Sequence, residues 1–114
     1  MTLYRVTAQS LPHGVTEVLA VDAATKADAI DTVRARFDRR FGRATTVYLA
    51  REASSPERYT LHPSDLEVGD WLYGHPIAGI DRTSDGAVIA TFDNGDVEIV
   101  RGEWELHRRD VPTA

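Results

Sequence analysis

Apolar and polar positions alternate in two stretches near the start of the chain, residues 3–10 and 15–21. A period of two is typical of strands that bury one face. Residues 11–14, which lie between the two stretches, include a proline and a glycine and favour a turn. The pattern therefore predicts two antiparallel strands paired as a hairpin.

After residue 25 the apolar period lengthens to that of a helix. Thr25 is followed three residues later by Asp28, which is the pattern of a capping box, and Gly42 suits the C-terminal end of a helix. We predict a helix over about residues 25–42. Its apolar stripe consists of Ile30, Val33, Phe37 and Phe41.

Residues 45–52 have the alternation of a third strand. The order strand, strand, helix, strand predicts a ββαβ module over residues 1–53. In this module the phenylalanines of the helix pack on one face of a three-stranded sheet.

The remainder of the chain shows strand patterns only. Asn94 and Gly95 separate two apolar runs, which is a strong hairpin signal, and Ser84, Asp85 and Gly86 separate two others. Four or five short strands joined by tight turns predict a small β-barrel, because closure removes exposed sheet edges. After a short entry strand, the predicted strands cover residues 77–83, 87–93, 97–100 and 104–107.

The entry to this second module carries the run Asp65-Leu66-x-x-Gly69-Asp70-x-Leu72. This run resembles the opening of many SH3-like barrels. The resemblance implies a fold and assigns no functional residues. The predicted fold class is therefore α+β, an N-terminal ββαβ unit followed by a small SH3-like all-β barrel.

A polar segment around Pro56 separates the two modules. We predict a linker over residues 54–60, the barrel module over residues 61–110 and a C-terminal tail over residues 111–114. The alternative is that both modules share one core.

The composition is that of one globular domain, with 114 residues of which 42% are hydrophobic and 27% charged. The absence of cysteine excludes disulfides and thiolate metal sites. The first residues lack the pattern of a secretory signal, and no apolar run is long enough to span a membrane, so we predict a cytoplasmic location. Of the 13 Lys and Arg residues only Lys26 is a lysine, a usage typical of high-GC bacterial or phage genomes.

The formal net charge of -5 is unevenly distributed. Residues 1–55 hold 8 basic and 6 acidic side chains, whereas residues 56–114 hold 5 basic and 12 acidic ones. The first segment therefore has a charge of +2 and the second a charge of -7. An acidic chain is not expected to bind DNA nonspecifically as a whole, although a local basic surface remains compatible with nucleic acid.

Arginines cluster near the C-terminal end of the predicted helix. Four of them share one flank, while Arg34 lies beyond the apolar stripe and can pair with Asp38. Three interpretations stay open: solvated cations that complement the helix dipole, a contact with the acidic module of this or another copy, or a phosphate or acidic-partner site. The four are Arg36, Arg39, Arg40 and Arg43.

The acidic module holds both tryptophans and most of the large rings. Rings and carboxylates together can hold a cationic or extended protein segment, and the alternative is that the rings fill the barrel core. We expect Trp71 and Tyr73 to be exposed together, because they alternate with Leu72 and so share the opposite face. The candidate protein-binding residues are Tyr59, Trp71, Tyr73 and Trp104.

The sequence offers no clear catalytic motif. It has no phosphate-binding glycine loop and no nucleophile elbow, and its aspartates lack the register of a calcium loop. We therefore predict that the chain is not an enzyme and has no catalytic, metal or cofactor site. Its histidines occur in separate contexts without the spacing of metal ligands: His13, His62, His75 and His107.

These patterns together predict a non-enzymatic interaction protein that recognises a protein partner, or a second copy of itself, through the acidic, ring-bearing barrel. One alternative is nucleic-acid or phosphate binding by the arginine flank. Another is an acidic barrel that imitates a nucleic acid and inhibits a protein that binds one. No membrane contact is expected.

Overall fold

Strands make up most of the structure, a computed structural model that describes residues 1–10, 15–41, 46–55, 60–102 and 104–105. For residues 60, 61, 104 and 105 it describes the backbone alone. The elements in chain order are β1 (Thr2–Ser10), β2 (Val15–Ala23), α1 (Lys26–Phe41), β3 (Thr46–Glu52), β4 (Thr60–Leu61), a 3₁₀ turn (Pro63–Asp65), β5 (Trp71–Leu72), β6 (His75–Arg82), β7 (Val88–Phe92), β8 (Val97–Val100) and β9 (Trp104–Glu105).

Seven of these strands form one antiparallel sheet in the order β2-β1-β3-β5-β6-β7-β8. Strands β4 and β9 form a separate two-stranded pair. The helix packs against β1, β2 and β3. Over the described residues the molecule therefore combines one helix with one open sheet, which agrees with the predicted mixed helix and strand content.

The predicted N-terminal hairpin is confirmed, since β1 and β2 pair antiparallel from Thr2 with Ala23 to Ser10 with Val15. The predicted turn at residues 11–14 lies outside the described residues. The third strand, β3, pairs with the other side of β1. The hydrophobic alternation read from the sequence therefore corresponds to a sheet with β1 at the centre of its first three strands.

The predicted helix is also confirmed. It begins at Lys26, and the backbone N–H of Asp28 donates to the Thr25 hydroxyl at 3.1 Å, so Thr25 acts as the N-cap. The helix ends at Phe41, and the predicted C-cap Gly42 lies outside the described residues.

The predicted closed barrel is wrong. Closure of β5, β6, β7 and β8 into a barrel would require β5 to pair with β8, but β5 pairs with β6 on one side and with β3 on the other. Within the described residues, β8 pairs with β7 alone and β9 pairs with β4. Because β3 occupies the edge of β5 that closure would need, the sheet stays open and the three-stranded sheet extends to seven strands.

Strand β3 is buried on both faces and separates two apolar clusters. Tyr48 and Ala50 point toward the helix, and Val47 and Leu49 point to the opposite face. The helix-side cluster consists of Val6, Ala8, Ala23, Ala29, Ile30, Val33, Phe37, Tyr48 and Ala50. The opposite-face cluster consists of Val47, Leu49, Leu66, Leu72, Ile77, Ala90 and Phe92.

The sheet continues from β3 to β5 through the pairs Val47 with Leu72 and Tyr48 with Trp71. This junction lies between the predicted modules, residues 1–53 and 61–110. The division into two modules stays a prediction, as does its alternative of one shared core.

Candidate functional site

The helix directs one flank toward β2. Its stripe residues Ile30, Val33 and Phe37 are buried in the helix-side cluster, because they recur on one side of the helix. Residues at 32, 36 and 40 then lie one turn apart on a neighbouring flank. Thr32, Arg36 and Arg40 are all exposed there.

A cleft of about 560 Å³ runs between this flank and β2, and we call it the α1/β2 cleft. Its apolar lining comes from both elements: Leu19, Val21, Val33 and Phe37. Its polar rim on the helix consists of Thr32, Arg36 and Arg40, and its rim on the strand consists of Glu17, Ala20 and Asp22.

The cleft reaches the free edge of the sheet. Strand β2 is the terminal strand, and among the described residues its only neighbour in the sheet is β1. Successive strand residues point to opposite faces, yet Ala20, Val21 and Asp22 all line the cleft. The cleft therefore borders the strand's edge, where backbone N–H and C=O groups that do not face β1 are directed outward.

Charges at the rim are only partly neutralised. The Arg40 guanidinium lies 2.7 Å from the Glu17 carboxylate across the cleft and stacks 4.7 Å from the Phe41 ring centroid. Within the described part of the chain, neither Arg36 nor Asp22 forms an ion pair. Among the described residues, the cleft thus presents one guanidinium and one carboxylate that are exposed without an ion pair, beside an apolar lining.

The structure places only some of the four predicted arginines at the cleft. Arg36 and Arg40 line the α1/β2 cleft, whereas Arg39 is exposed on the same helix and does not line it. Arg43 lies outside the described residues. The sequence has no acidic residue three or four positions from these arginines along the helix, but β2 brings Glu17 to Arg40, which only the tertiary structure reveals.

The predicted pairing of Arg34 with Asp38 is present, with 3.3 Å between Nε and a carboxylate oxygen. The Arg34 guanidinium also lies 3.7 Å from the centroid of the Trp71 ring. Asp38 accepts hydrogen bonds from the hydroxyls of Thr46, at 3.1 Å, and Tyr48. Burial, with the Asp38 carboxylate, raises the pKa of Tyr48 above its ordinary value. This flank of the helix is therefore occupied by internal contacts.

The predicted aromatic surface is divided by the structure. Trp71 is partly buried against the helix-side cluster, beneath Arg34. Tyr73 is 42% exposed at the turn after β5, with φ at 51°, and burial together with Glu98 raises its pKa. The expected exposed pair is therefore wrong for Trp71, whose ring faces the helix. The side chains of Tyr59 and Trp104 lie outside the described residues.

Sequence reasoning missed a buried ionic cluster around Asp70, whose side chain is fully buried. One Asp70 oxygen lies 2.7 Å from Arg51 Nη1 and 2.9 Å from Lys26 Nζ. The other accepts hydrogen bonds from Arg51 Nη2 and from the Glu67 backbone N–H, both at 2.9 Å. Burial lowers the pKa of Arg51, but the hydrogen bonds and charge of Asp70 outweigh it and leave that pKa raised. The cluster therefore joins the helix, β3 and the loop before β5.

The run that resembles an SH3-like opening contains the signal for this cluster. Asp65 accepts a hydrogen bond from the His62 backbone N–H at 3.0 Å, Leu66 is buried, and Gly69 has a φ of 93°. A Cβ at Gly69 would stand 3.3 Å from Lys26 Cε. The run therefore forms a tight turn that places the Asp70 carboxylate against Arg51 and Lys26.

Acidic groups of the second half are largely engaged within the molecule. Asp85 pairs with Arg101 and caps its own turn, and hydrogen bonds from Thr83 and Arg101 hold its pKa well below the usual range. Asp81 and Glu98 pair with Ile89 and Ala90 respectively, so they point to opposite faces of the sheet. Asp81 and Glu98 therefore do not share one ridge, and imitation of a nucleic acid by the acidic residues stays a prediction.

Two absences apply to the described residues alone. They contain no group of three or more histidine, aspartate or glutamate side chains placed to hold a metal ion. None of their helices is both long and apolar enough to cross a membrane.

Comparison of the chain with protein-family models, with curated proteins and with solved structures found no match in any of the three.

Proposed function

We propose that this chain is a non-enzymatic recognition protein that binds an extended segment of a partner protein in the α1/β2 cleft. The segment adds a strand to the free edge of β2. The observation that carries this proposal is the position of the cleft, which borders that edge and has an apolar lining.

Strand addition matches the chemistry of the cleft. Outward-facing backbone groups of β2 pair with the main chain of the ligand and supply affinity for any extended sequence. Leu19 and Val21, which are only partly buried, provide contacts for alternate side chains, which supply selectivity. The accessible part of β2, residues 17–22, is long enough for a ligand of roughly five residues at about 3.3 Å each.

This proposal keeps the predicted class of partner and moves the site. Trp71 was predicted to bind a partner on the surface of the second module, but its ring lies beneath Arg34. Tyr73 remains exposed, and the contributions of Tyr59 and Trp104 stay predictions, as does the cytoplasmic location.

Hydrogen exchange tests the proposal directly. Peptides selected from a random display library against the whole chain should slow exchange at alternate β2 amides, because a new strand protects the outward-facing N–H groups. Thr32→Trp should weaken this binding, since Thr32 is exposed on the helix rim of the cleft. Ala35→Trp, an exposed position of the same helix outside the lining, is the matched control. Protection elsewhere, or equal binding by both variants, would contradict strand addition at β2.

Nucleic-acid or phosphate binding remains a competing proposal with a weaker basis. Arg40 is held by Glu17, so within the described residues only Arg36 and Arg39 of the predicted group are exposed without an ion pair. Retardation of single- or double-stranded DNA or RNA in gels at low salt, with an affinity that falls steeply as salt rises, would favour it over peptide recognition.

A further inference from the structure

A strand added at the edge of β2 and the helix α1 would have nearly matched spacing between successive side chains. Side chains on one face of a strand recur about every 6.6 Å, and a helix rises about 5.4 Å per turn. Successive ligand side chains that point toward the helix therefore meet successive turns of its rim. Those turns present Thr32, then Arg36, then Arg40.

Of the two arginines on the helix rim, Arg36 is the one that forms no ion pair within the described residues, and Asp22 on the strand rim likewise forms none. Arg40, one turn later, already lies 2.7 Å from the Glu17 carboxylate. Arg36 is exposed, forms no ion pair in the described part of the chain, and lines the cleft next to the apolar Phe37. A guanidinium beside apolar surface binds a carboxylate more strongly than one in open solvent, because less water competes for its donors.

We infer that the α1/β2 cleft selects an extended protein segment carrying an aspartate or glutamate opposite Arg36. An apolar ligand side chain two residues away, on the same face, packs on Val21, which is only partly buried. This inference rests on the proposed function, because it names the partner that strand addition at β2 accepts.

The cleft favours an internal acidic side chain over a terminal carboxylate. Its lining continues on both sides of Arg36, to Thr32 in one direction and to Arg40 in the other. A chain that ended at Arg36 would leave part of this surface uncovered. An internal residue instead allows main-chain pairing with β2 on both sides.

Blocked peptides of ten residues test the inference, with acetylated and amidated ends and a central glutamate two positions from a valine. The glutamate peptides should bind about two- to fivefold more tightly than peptides with glutamine in its place, since an ion pair with the exposed Arg36 is lost. Arg36→Glu should abolish this preference. Arg39→Glu, the same change at an exposed position that does not line the cleft, should retain it. Circular dichroism would verify that both variants are folded.

The outcomes separate this inference from the proposed function. Equal binding of glutamate and glutamine peptides, with β2 amides still protected, would overturn the acidic selection and leave strand addition in place. No protection of β2 by any peptide would overturn both. Equal losses in Arg36→Glu and Arg39→Glu would indicate nonspecific attraction, and tighter binding of peptides with a free C-terminus would indicate a terminal carboxylate; either result overturns the inference.

Discussion

The helix-covered region, β1 to β3 with α1, and the β5–β8 region use their charges differently. By composition the second half is the more charged, yet Asp70 is buried among cations and Asp85 lies in an ion pair and a turn. The helix-covered region is nearly neutral, yet it leaves Arg36 and Asp22 exposed beside a cleft. Net charge therefore does not locate the proposed binding surface, which is instead marked by exposed charge beside a concave apolar surface at a sheet edge.

The Asp70 cluster connects these two regions, and we expect its removal to have the largest effect on stability. Asp70→Ala should lower the free energy of unfolding by about 3–5 kcal/mol, because Arg51 and Lys26 lose a fully buried counter-charge. Denaturant unfolding would measure the loss. Asp81→Ala, at an exposed position, is the control and should change stability by less than about 0.5 kcal/mol. A loss of stability below about 1 kcal/mol for Asp70→Ala would contradict a stabilising role of the Asp70 cluster.

The same unfolding experiment tests the division into modules. Helical circular dichroism reports on the helix-covered region, and fluorescence of the tryptophans reports on the second half. The two signals of the unmodified protein should coincide in one transition, because the sheet and the Asp70 cluster connect both regions. Two separate transitions would instead support independent modules over residues 1–53 and 61–110.

Tyr48 tests the polar contacts on the helix-covered side. Tyr48→Phe should cost about 1.5–3 kcal/mol, since it removes a buried hydrogen bond to the Asp38 carboxylate. The effect should also depend on pH. The pKa of Tyr48 is raised above 10.0 in the folded chain, so the unfolded chain releases this proton first. Stability from this group is therefore complete below about pH 10 and declines as pH rises toward the folded pKa.

Unfolding measured across the alkaline range should show this decline in the unmodified chain and a shallower one in Tyr48→Phe. Tyr73→Phe is the matched control, since Tyr73 is 42% exposed and should remove less of the decline. Identical alkaline profiles for Tyr48→Phe and the unmodified chain would contradict a raised Tyr48 pKa.

Substitution of Arg34 tests the contact between the helix and Trp71 of β5, and we expect it to have the smallest effect on stability. Arg34→Ala should cost about 1 kcal/mol through loss of the stacked guanidinium. In a Trp104→Phe background the fluorescence of Trp71 should shift to the red, because its ring becomes more exposed. Arg39→Ala should leave the emission unchanged. An unshifted spectrum in Arg34→Ala would show that the guanidinium does not cover Trp71 in solution.

Much of the local structure was predictable. The hairpin, the Thr25 cap, the stripe of Ile30 to Phe41 and the glycine turn at Gly95 depend on signals within a few residues. The helical period also places Arg36 and Arg40 on one flank, and that flank borders the α1/β2 cleft. Strand β2 as the other wall of the cleft could not be predicted, since a hairpin pattern does not specify which of its strands lies at the edge of the sheet.

The sequence by itself determined the elements, because periodicity, capping and turn chemistry act through neighbouring residues. Only the tertiary structure decided that β3 takes the edge of β5, that Asp70 is buried against Arg51 and Lys26, and that Glu17 faces Arg40. These outcomes depend on which strands compete for one edge and which charges meet when the chain packs. Strand pairing and charge pairing of this kind involve residues that are far apart in the chain. No local sequence pattern therefore indicates which residue will be the partner.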